Sequence, residues 1–301
     1  MKKEEFNRLF SLDLEEKIEK SNDIIMDFYE SVDSESVYIS SSFGKDSLVL
    51  IDLVRKIYPK IPILYINTGL EHDSCVELSK KYENVHEIKP KKSMEEIIEK
   101  YGYIIPYGKE VSGAIEQVRR NLYDGELNTY RVKQFRGEIG YNYVRFCDDL
   151  LAPFKISDKC CYHLKISPLK SYCNENGFLF SYVGITAEES NMRRKNLLKY
   201  GFNTEKQSRP LGFWTVNDVL KYLMEKKIEI PKCYGEIIEE NGIFKTSLHQ
   251  RNGCICCPVG TLYETPNKYQ ILYENDKKSW DFVINKLNFK KVCDWFGVKY
   301  K

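Results

Sequence analysis

Histidine is scarce in this chain, with 4 in 301 residues, and formal charge nearly cancels at +2. His72 and His249 show no spacing with a serine and an aspartate that suggests a hydrolase triad, and His163 reads as a packing residue. Near-neutral charge without a basic stripe leaves no footprint for direct contact with nucleic acid or an anionic membrane. No run approaches the roughly 18 apolar residues of a membrane-spanning helix. The opening Met1-Lys2-Lys3-Glu4-Glu5 has no apolar signal core, so a cytoplasmic protein is expected. No Pro/Gly/Ser-rich linker divides the chain, and no internal repeat is visible.

Cysteine is plentiful by contrast, at 10. In a reducing compartment that number does not imply a disulfide framework, so the spacing is read for metal or catalysis. Cys160-Cys161 is an adjacent pair, and Cys254-Ile255-Cys256-Cys257 holds a C-x-x-C with a spare thiol at Cys256. Four thiolates from two short motifs suit either zinc or a [4Fe–4S] cluster. Cys75, Cys147, Cys173 and Cys233 read as small buried hydrophobes. The aromatic content, Tyr 22 and Phe 15, is assigned to core packing because no basic stripe accompanies it.

Periodicity gives the organisation. Residues 14–32 carry an apolar helical stripe, and residues 37–40, 63–66, 85–88 and 178–183 read as strands. Helical patterns follow at 46–58, 72–82 and 94–101, the last opened by the Ser93/Glu96 capping-box spacing. Thr215 and Asp218 cap a helix to about residue 226, and the last third holds helical stretches at 267–287 and 289–297. Residues 122–159 read as a long connection with some helix. Strand–helix alternation predicts a three-layer α/β fold: a mainly parallel twisted sheet with helices on both faces, plus a C-terminal Cys-containing helical lobe. The expected divisions are an N-terminal helical segment at 1–35, a nucleotide-binding domain at 36–230 and the lobe at 231–301.

Ligands in such sheets sit at the carboxyl ends of strands. Ser40-Ser41-Ser42-Phe43-Gly44-Lys45-Asp46-Ser47 falls at one such end, and Thr68-Gly69 at another. A strand, a small polar loop and a helix start cradle phosphate through unpaired amides and the helix dipole. Gly44 allows close backbone approach, Lys45 adds a cation, and Asp46 suits Mg²⁺ if the ligand is ATP. This is not a Walker A loop, because Ile39 stands where its first glycine belongs and Asp46 where Ser or Thr belongs.

The loop resembles the PP-loop of the adenine nucleotide alpha hydrolase superfamily, and more narrowly that of the phosphoadenylyl-sulfate and adenylyl-sulfate reductase family. Phe43 stands where the common superfamily loop has its first glycine. Asn67-Thr68-Gly69-Leu70-Glu71 resembles the family's Asp-Thr-Gly segment near the nucleoside. The stretch from Gly184 through Glu188-Glu189-Ser190 to Arg193 resembles its Gly-x-Arg-x-x-x-Ser-x-x-Arg region, with Thr186 where arginine is usual. Pro210-Leu211, Trp214-Thr215 and Asp218-Val219 resemble its Pro-Leu-x-x-Trp-Thr-x-x-Asp-Val element. Cys160-Cys161-x-x-Leu164-Lys165-x-x-Pro168-Leu169 resembles the iron–sulfur subgroup's Cys-Cys-x-x-Arg-Lys-x-x-Pro-Leu, with Leu164 replacing arginine.

The resemblance implies adenine nucleotide binding by Ser40–Ser47, Thr68, Gly69 and Gly184. It implies a [4Fe–4S] cluster on Cys160, Cys161, Cys254 and Cys257, with zinc as the alternative cofactor. Lys165 and Arg193 would act on the substrate, and Lys109, Glu188, Glu189 and Arg194 would contact it. Implied partners are an external thiol or electron donor such as thioredoxin or ferredoxin; nucleic acid would require a partner protein, and a homo-oligomer is allowed. The family's C-terminal Glu-Cys-Gly-x-His is absent. Cys293, set between Phe289 and Phe296, and Cys256 are the weak nucleophile candidates. Three readings therefore stand: a reductase or sulfur-transfer enzyme on adenylyl sulfate with AMP release, a PP-loop ATP pyrophosphatase in a thiolation pathway, and a non-catalytic nucleotide- and cluster-binding sensor.

Overall fold

The computed structural model describes residues 3–301. Two compact units emerge, each assembled from two stretches of chain. The first takes the residues up to Lys89 and Pro168–Asn252; the second takes Pro90–Ser167 and Gly253–Lys301.

The first unit is built on a five-stranded sheet. Its strands are β1 (Val37–Ser41), β2 (Ile63–Ile66), β3 (Val85–Ile88), β4 (Phe180–Val183) and β5 (Gln207–Ser208), in the order β3-β2-β1-β4-β5. Every pairing is parallel, with Ile39 opposite Ile63 and Tyr182. A hairpin of β6 (Ile237–Glu240) and β7 (Ile243–Thr246) stands apart from this sheet.

Alternation along the strands builds two cores. Val37, Ile39, Ile63 and Tyr65 face a large apolar cluster that includes Ile25 and Phe28 of helix Leu14–Ser31 and Leu50 and Val54 of helix Lys45–Ile57. Tyr38 and Leu64, one residue out of phase, face a smaller cluster with Leu169, Tyr172 and Cys173 of helix Ser167–Asn176. Burial on both faces is what a parallel sheet requires. The expected α/β architecture is therefore present, and Cys173 packs as a small buried hydrophobe.

A buried ion pair, Lys17 Nζ to Asp218 Oδ2 at 2.6 Å, joins helix Leu14–Ser31 to helix Val216–Glu225. The same Asp218 carboxylate accepts from the Thr215 amide and hydroxyl, completing the expected capping box.

The second unit is mainly helical. It holds Met94–Tyr101, Lys109–Tyr123, Tyr130–Phe135, Lys268–Asn275, Lys277–Asp281 and Lys290–Phe296, with π-helical turns at Tyr162–Ile166 and Phe282–Lys286. The Ser93/Glu96 capping box forms as expected. Lys109 and Glu110 open a 15-residue helix, with Gly108 at φ 96° before it. The long connection after residue 122 is organised by one side chain. The Arg119 guanidinium donates to the carbonyls of Asp149, Leu150, Ala152 and Phe154 at 2.6–3.0 Å. Among the described residues, no helix is long and apolar enough to cross a membrane.

Candidate functional site

The chain runs from β1 out to β2 and β3 on one side, then returns to place β4 on the other side of β1. The crevice beyond β1 and β4 is thus the topological switch point, where open α/β sheets bind ligands. The loop after β1 and Gly184 after β4 both lie there. Gly184 must be small: a Cβ on it would sit 3.0 Å from the Asp46 carbonyl oxygen and 3.2 Å from the Ser47 nitrogen.

The loop is held by its own hydroxyls. The Phe43 amide donates to Ser41 Oγ at 2.9 Å, and the Ser42 amide to Ser47 Oγ at 3.4 Å. Gly44 caps helix Lys45–Ile57 with no side-chain hydrogen bond, so the site relies on backbone amides and the dipole of a 13-residue helix. Lys45 is buried with its ammonium 3.1 Å from Asp46 Oδ2, while Asp46 Oδ1 is buried with no hydrogen-bond partner. A desolvated acceptor of that kind fits a cation such as Mg²⁺ held with phosphates.

Phe43 differs from its expected role. Its side chain is fully buried, with its ring 5.2 Å from that of Tyr65 and 5.3 Å from that of Tyr82. Only its backbone, at φ 52°, shapes the loop. That left-handed conformation explains why glycine is the common residue there, and burial of the ring offsets a strain on the order of 1–2 kcal/mol.

Two loop partners escaped sequence reasoning because they are distant in the chain and belong to no motif. Tyr234 is buried, and its hydroxyl accepts from the Lys45 amide at 3.2 Å. Asn252 Nδ2 donates to the Ser42 carbonyl at 2.9 Å, and its amide fills the space beside Gly44. Gly44 therefore serves to admit Asn252, in addition to the close phosphate approach expected of it.

At the end of β2, the Glu71 carboxylate accepts from the Thr68 amide at 2.8 Å and the Thr68 hydroxyl at 2.8 Å. Asn67 Oδ1 accepts from the Gly69 amide at 3.0 Å. These bonds hold the Thr68–Gly69 turn at the same sheet edge as the loop.

The basic residues divide by role. Arg193 lies within electrostatic reach of Asp46 and Arg251; burial is the main influence lowering its pKa, followed by the opposing pull of Asp46. It also pairs with Glu189. Arg194 instead covers the rings of Phe6 and Phe10 and donates to Asn7 Oδ1 at 2.9 Å. Glu188 accepts from the Val216 amide at the start of a helix, and Glu189 from the Thr186 amide. Arg194, Glu188 and Glu189 are thus all engaged in holding the fold.

In the second unit the cysteines converge. Cys160 feels Cys161 most strongly, and then Cys257 and Cys256; Cys256 in turn feels Cys254 and Cys257. The Cys160 thiol is pushed up by its hydrogen bond to Cys161 and by burial. Cys161 is pulled down, first by Cys160 and then by Lys109 and Lys165. Lys109 and Lys165 therefore stand beside the sulfur cluster, with Lys165 on the π-helical turn Tyr162–Ile166. Among the described residues, no three His, Cys, Asp or Glu side chains have the spacing to hold one metal ion. Four thiols from two short motifs are the donor type that both zinc and iron–sulfur clusters take.

Cys256 is buried, with its thiol raised chiefly by desolvation, and its carbonyl accepts from the Tyr269 hydroxyl at 2.8 Å. Cys293 is fully buried in helix Lys290–Phe296, and burial pushes its pKa to about 12. Cys147 donates to the Phe135 carbonyl. Cys75 and Cys233 are not isolated packing residues, because their sulfurs lie 3.9 Å apart.

A parallel sheet carrying a phosphate loop at its switch point defines a nucleotide-binding α/β protein. The model of the phosphoadenosine phosphosulfate reductase domain matches residues 36–112 and 109–259, and the chain belongs to that family. An adenosine 5′-phosphosulfate reductase of Staphylococcus epidermidis is 24% identical over 251 residues, covering 82% of this chain and 79% of the relative. An uncharacterized protein of Methanocaldococcus jannaschii is 30% identical over 281 residues, 91% of this chain but 54% of its own length. Among solved structures, phosphoadenylyl-sulfate reductase from Candida auris aligns with TM-score 0.42 and 17% identity, over 77% of this chain and 90% of that one. The U34-tRNA thiolase NcsA of Methanococcus maripaludis, solved with its [4Fe-4S] cluster, aligns with TM-score 0.39 and 13% identity, over 92% and 80%.

Proposed function

We propose that this protein binds adenylyl sulfate at the Ser40–Ser47 loop and breaks its sulfur–oxygen bond, releasing AMP and passing the sulfur group to a thiol. The observation that carries this reading is the loop's place at the switch point, within a family match spanning both the loop and the two cysteine motifs. Loop amides and Lys45 bind the 5′-phosphate, and Arg193, with Arg251 near, neutralises the sulfonate end. As charge builds on the leaving phosphate oxygen, the Lys45 ammonium and the N-terminal dipole of helix Lys45–Ile57 stabilise it.

Cys160, Cys161, Cys254 and Cys257 would hold a [4Fe–4S] cluster. When bound, it supplies a redox-capable centre whose positive irons can polarise an anionic ligand. Lys109 and Lys165 balance the charge of the thiolate set. Electrons for reduction come from an external thiol or a donor of the thioredoxin or ferredoxin kind.

A second reading, ATP cleavage to AMP and pyrophosphate on the way to thiolation, is favoured by one feature. The unpartnered, buried Asp46 Oδ1 suits Mg²⁺ bound with a triphosphate. Products separate the two. Anaerobic protein given adenylyl sulfate and a dithiol is expected to form AMP and sulfite. Pyrophosphate from ATP, with no turnover of adenylyl sulfate, would replace this reading by the second.

A further inference from the structure

The proposed reaction needs a nucleophilic thiol, and Cys256 and Cys293 are both buried. The first unit supplies another pair of thiols. Cys75, on helix Asp73–Ser79 after β2, is fully buried, and Cys233, on the turn Lys232–Tyr234, is half-buried. Their sulfurs are 3.9 Å apart. A closure of about 2 Å would bring them to the disulfide length of about 2.05 Å.

Two contacts connect this pair to the phosphate loop. Asn252 Nδ2 donates to the Ser42 carbonyl and reaches Cys75 Sγ at 3.7 Å. Tyr234, the next residue after Cys233, accepts from the Lys45 amide. The pair is distinct from the cysteines assigned to the cluster.

We propose that Cys233 is the nucleophile toward the sulfonyl group held at this loop, and that Cys75 is the thiol that resolves the adduct. The assignment rests on the adenylyl-sulfate reading above.

Exposure divides the two roles, because Cys233 is half-buried and within reach of a ligand while Cys75 is fully buried. Cys233 is favoured as a thiolate, first by the Cys75 S–H and then, against burial, by the Ser74 hydroxyl and the backbone amides of residues 233 and 234. Cys75 is held protonated by Cys233 and by burial. A thiolate poised next to a protonated partner, with the partner deeper, is the arrangement of an attacking and a resolving thiol.

The chemistry balances. The Cys233 thiolate attacks the sulfonate sulfur, the S–O bond breaks, and AMP leaves with the bonding pair, giving Cys233–S–SO₃⁻. Cys75 then loses its proton to solvent and attacks Cys233 Sγ. The Cys75–Cys233 disulfide forms, and sulfite departs with the electron pair. Two thiols have lost two electrons, and the sulfate-level sulfur has gained two. An external dithiol restores the pair through the more exposed Cys233.

The test uses the full-length anaerobic protein with adenylyl sulfate and no added thiol, reading AMP, sulfite and peptide masses after one turnover. The wild type is expected to release one AMP and one sulfite per chain and to end with the Cys75–Cys233 disulfide. Cys75→Ser should release AMP, form no sulfite, and carry one SO₃ on Cys233. Cys233→Ser and Cys233→Ala should bind AMP normally yet release none from adenylyl sulfate. Wild-type turnover that persists in both Cys233 variants, or an adduct mapped to another cysteine, would overturn this assignment alone. No AMP from adenylyl sulfate with the wild type would overturn the underlying reading with it.

Discussion

A methyl group on Gly44 would lie 2.3 Å from Asn252 Oδ1, so the phosphate loop and a residue 208 positions later occupy one another's space. Asn252 also bonds the Ser42 carbonyl, which fixes the loop from outside the sheet. Gly44→Ala must displace Asn252 and with it the loop. Its expected effect is a loss of AMP affinity of at least tenfold, about 1.4 kcal/mol, with little change in far-UV circular dichroism. Asn252→Ala, which removes one carbonyl's partner at a part-exposed site, should cost less than Gly44→Ala in the same titration.

Arg119 satisfies four carbonyls with one guanidinium. Lysine cannot span them, because its ammonium lacks the planar fork. Arg119→Lys should lower the unfolding free energy by on the order of 2–4 kcal/mol, as carbonyls inside the unit lose their donor. Urea denaturation would register this, and an unchanged midpoint would contradict the role given to Arg119.

Cys160→Ser removes one of four thiolates from the proposed cluster. Protein purified without oxygen should be brown, with absorbance near the thiolate-to-iron charge-transfer region, and the variant should lose iron and colour. Zinc in the wild type, at one per chain and without iron, would contradict the cluster.

The shift at Cys233 has a clear sign. A depressed thiol pKa means more thiolate at a given pH, so alkylation of Cys233 should stay fast as pH falls below the range where an ordinary thiol, near pKa 8.5, slows. Cys75→Ser weakens the donor that contributes most, so the Cys233 profile should move to higher pH. Peptide mapping after pulsed iodoacetamide checks both, and superimposable profiles would exclude a Cys75–Cys233 coupling.

Much of this was legible from sequence because it is local. The short apolar runs of β1 and β2 and the capping boxes at Ser93 and Thr215 are all set by neighbours within a few positions. Long-range structure was not. Tyr234 and Asn252 reach the loop from 189 and 210 residues away in sequence, with no spacing signal that announces them. The Cys75–Cys233 pair is separated by 158 residues, so each thiol looked alone. Arg193 and Arg194 are adjacent in sequence, yet a helix turns successive side chains about 100° apart. One faces Asp46, the other Phe6 and Phe10. At Phe43 the backbone shapes the loop while the ring packs in the core, a division that sequence adjacency does not reveal.

The central claim concerns which bond beside the α-phosphate is broken, and oxygen-18 placed in the P–O–S bridge of adenylyl sulfate tests it directly. Attack by a thiol on sulfur leaves the label in AMP, which is the result expected here. Label recovered in sulfate, with none in AMP, would mean attack at phosphorus and would contradict the account.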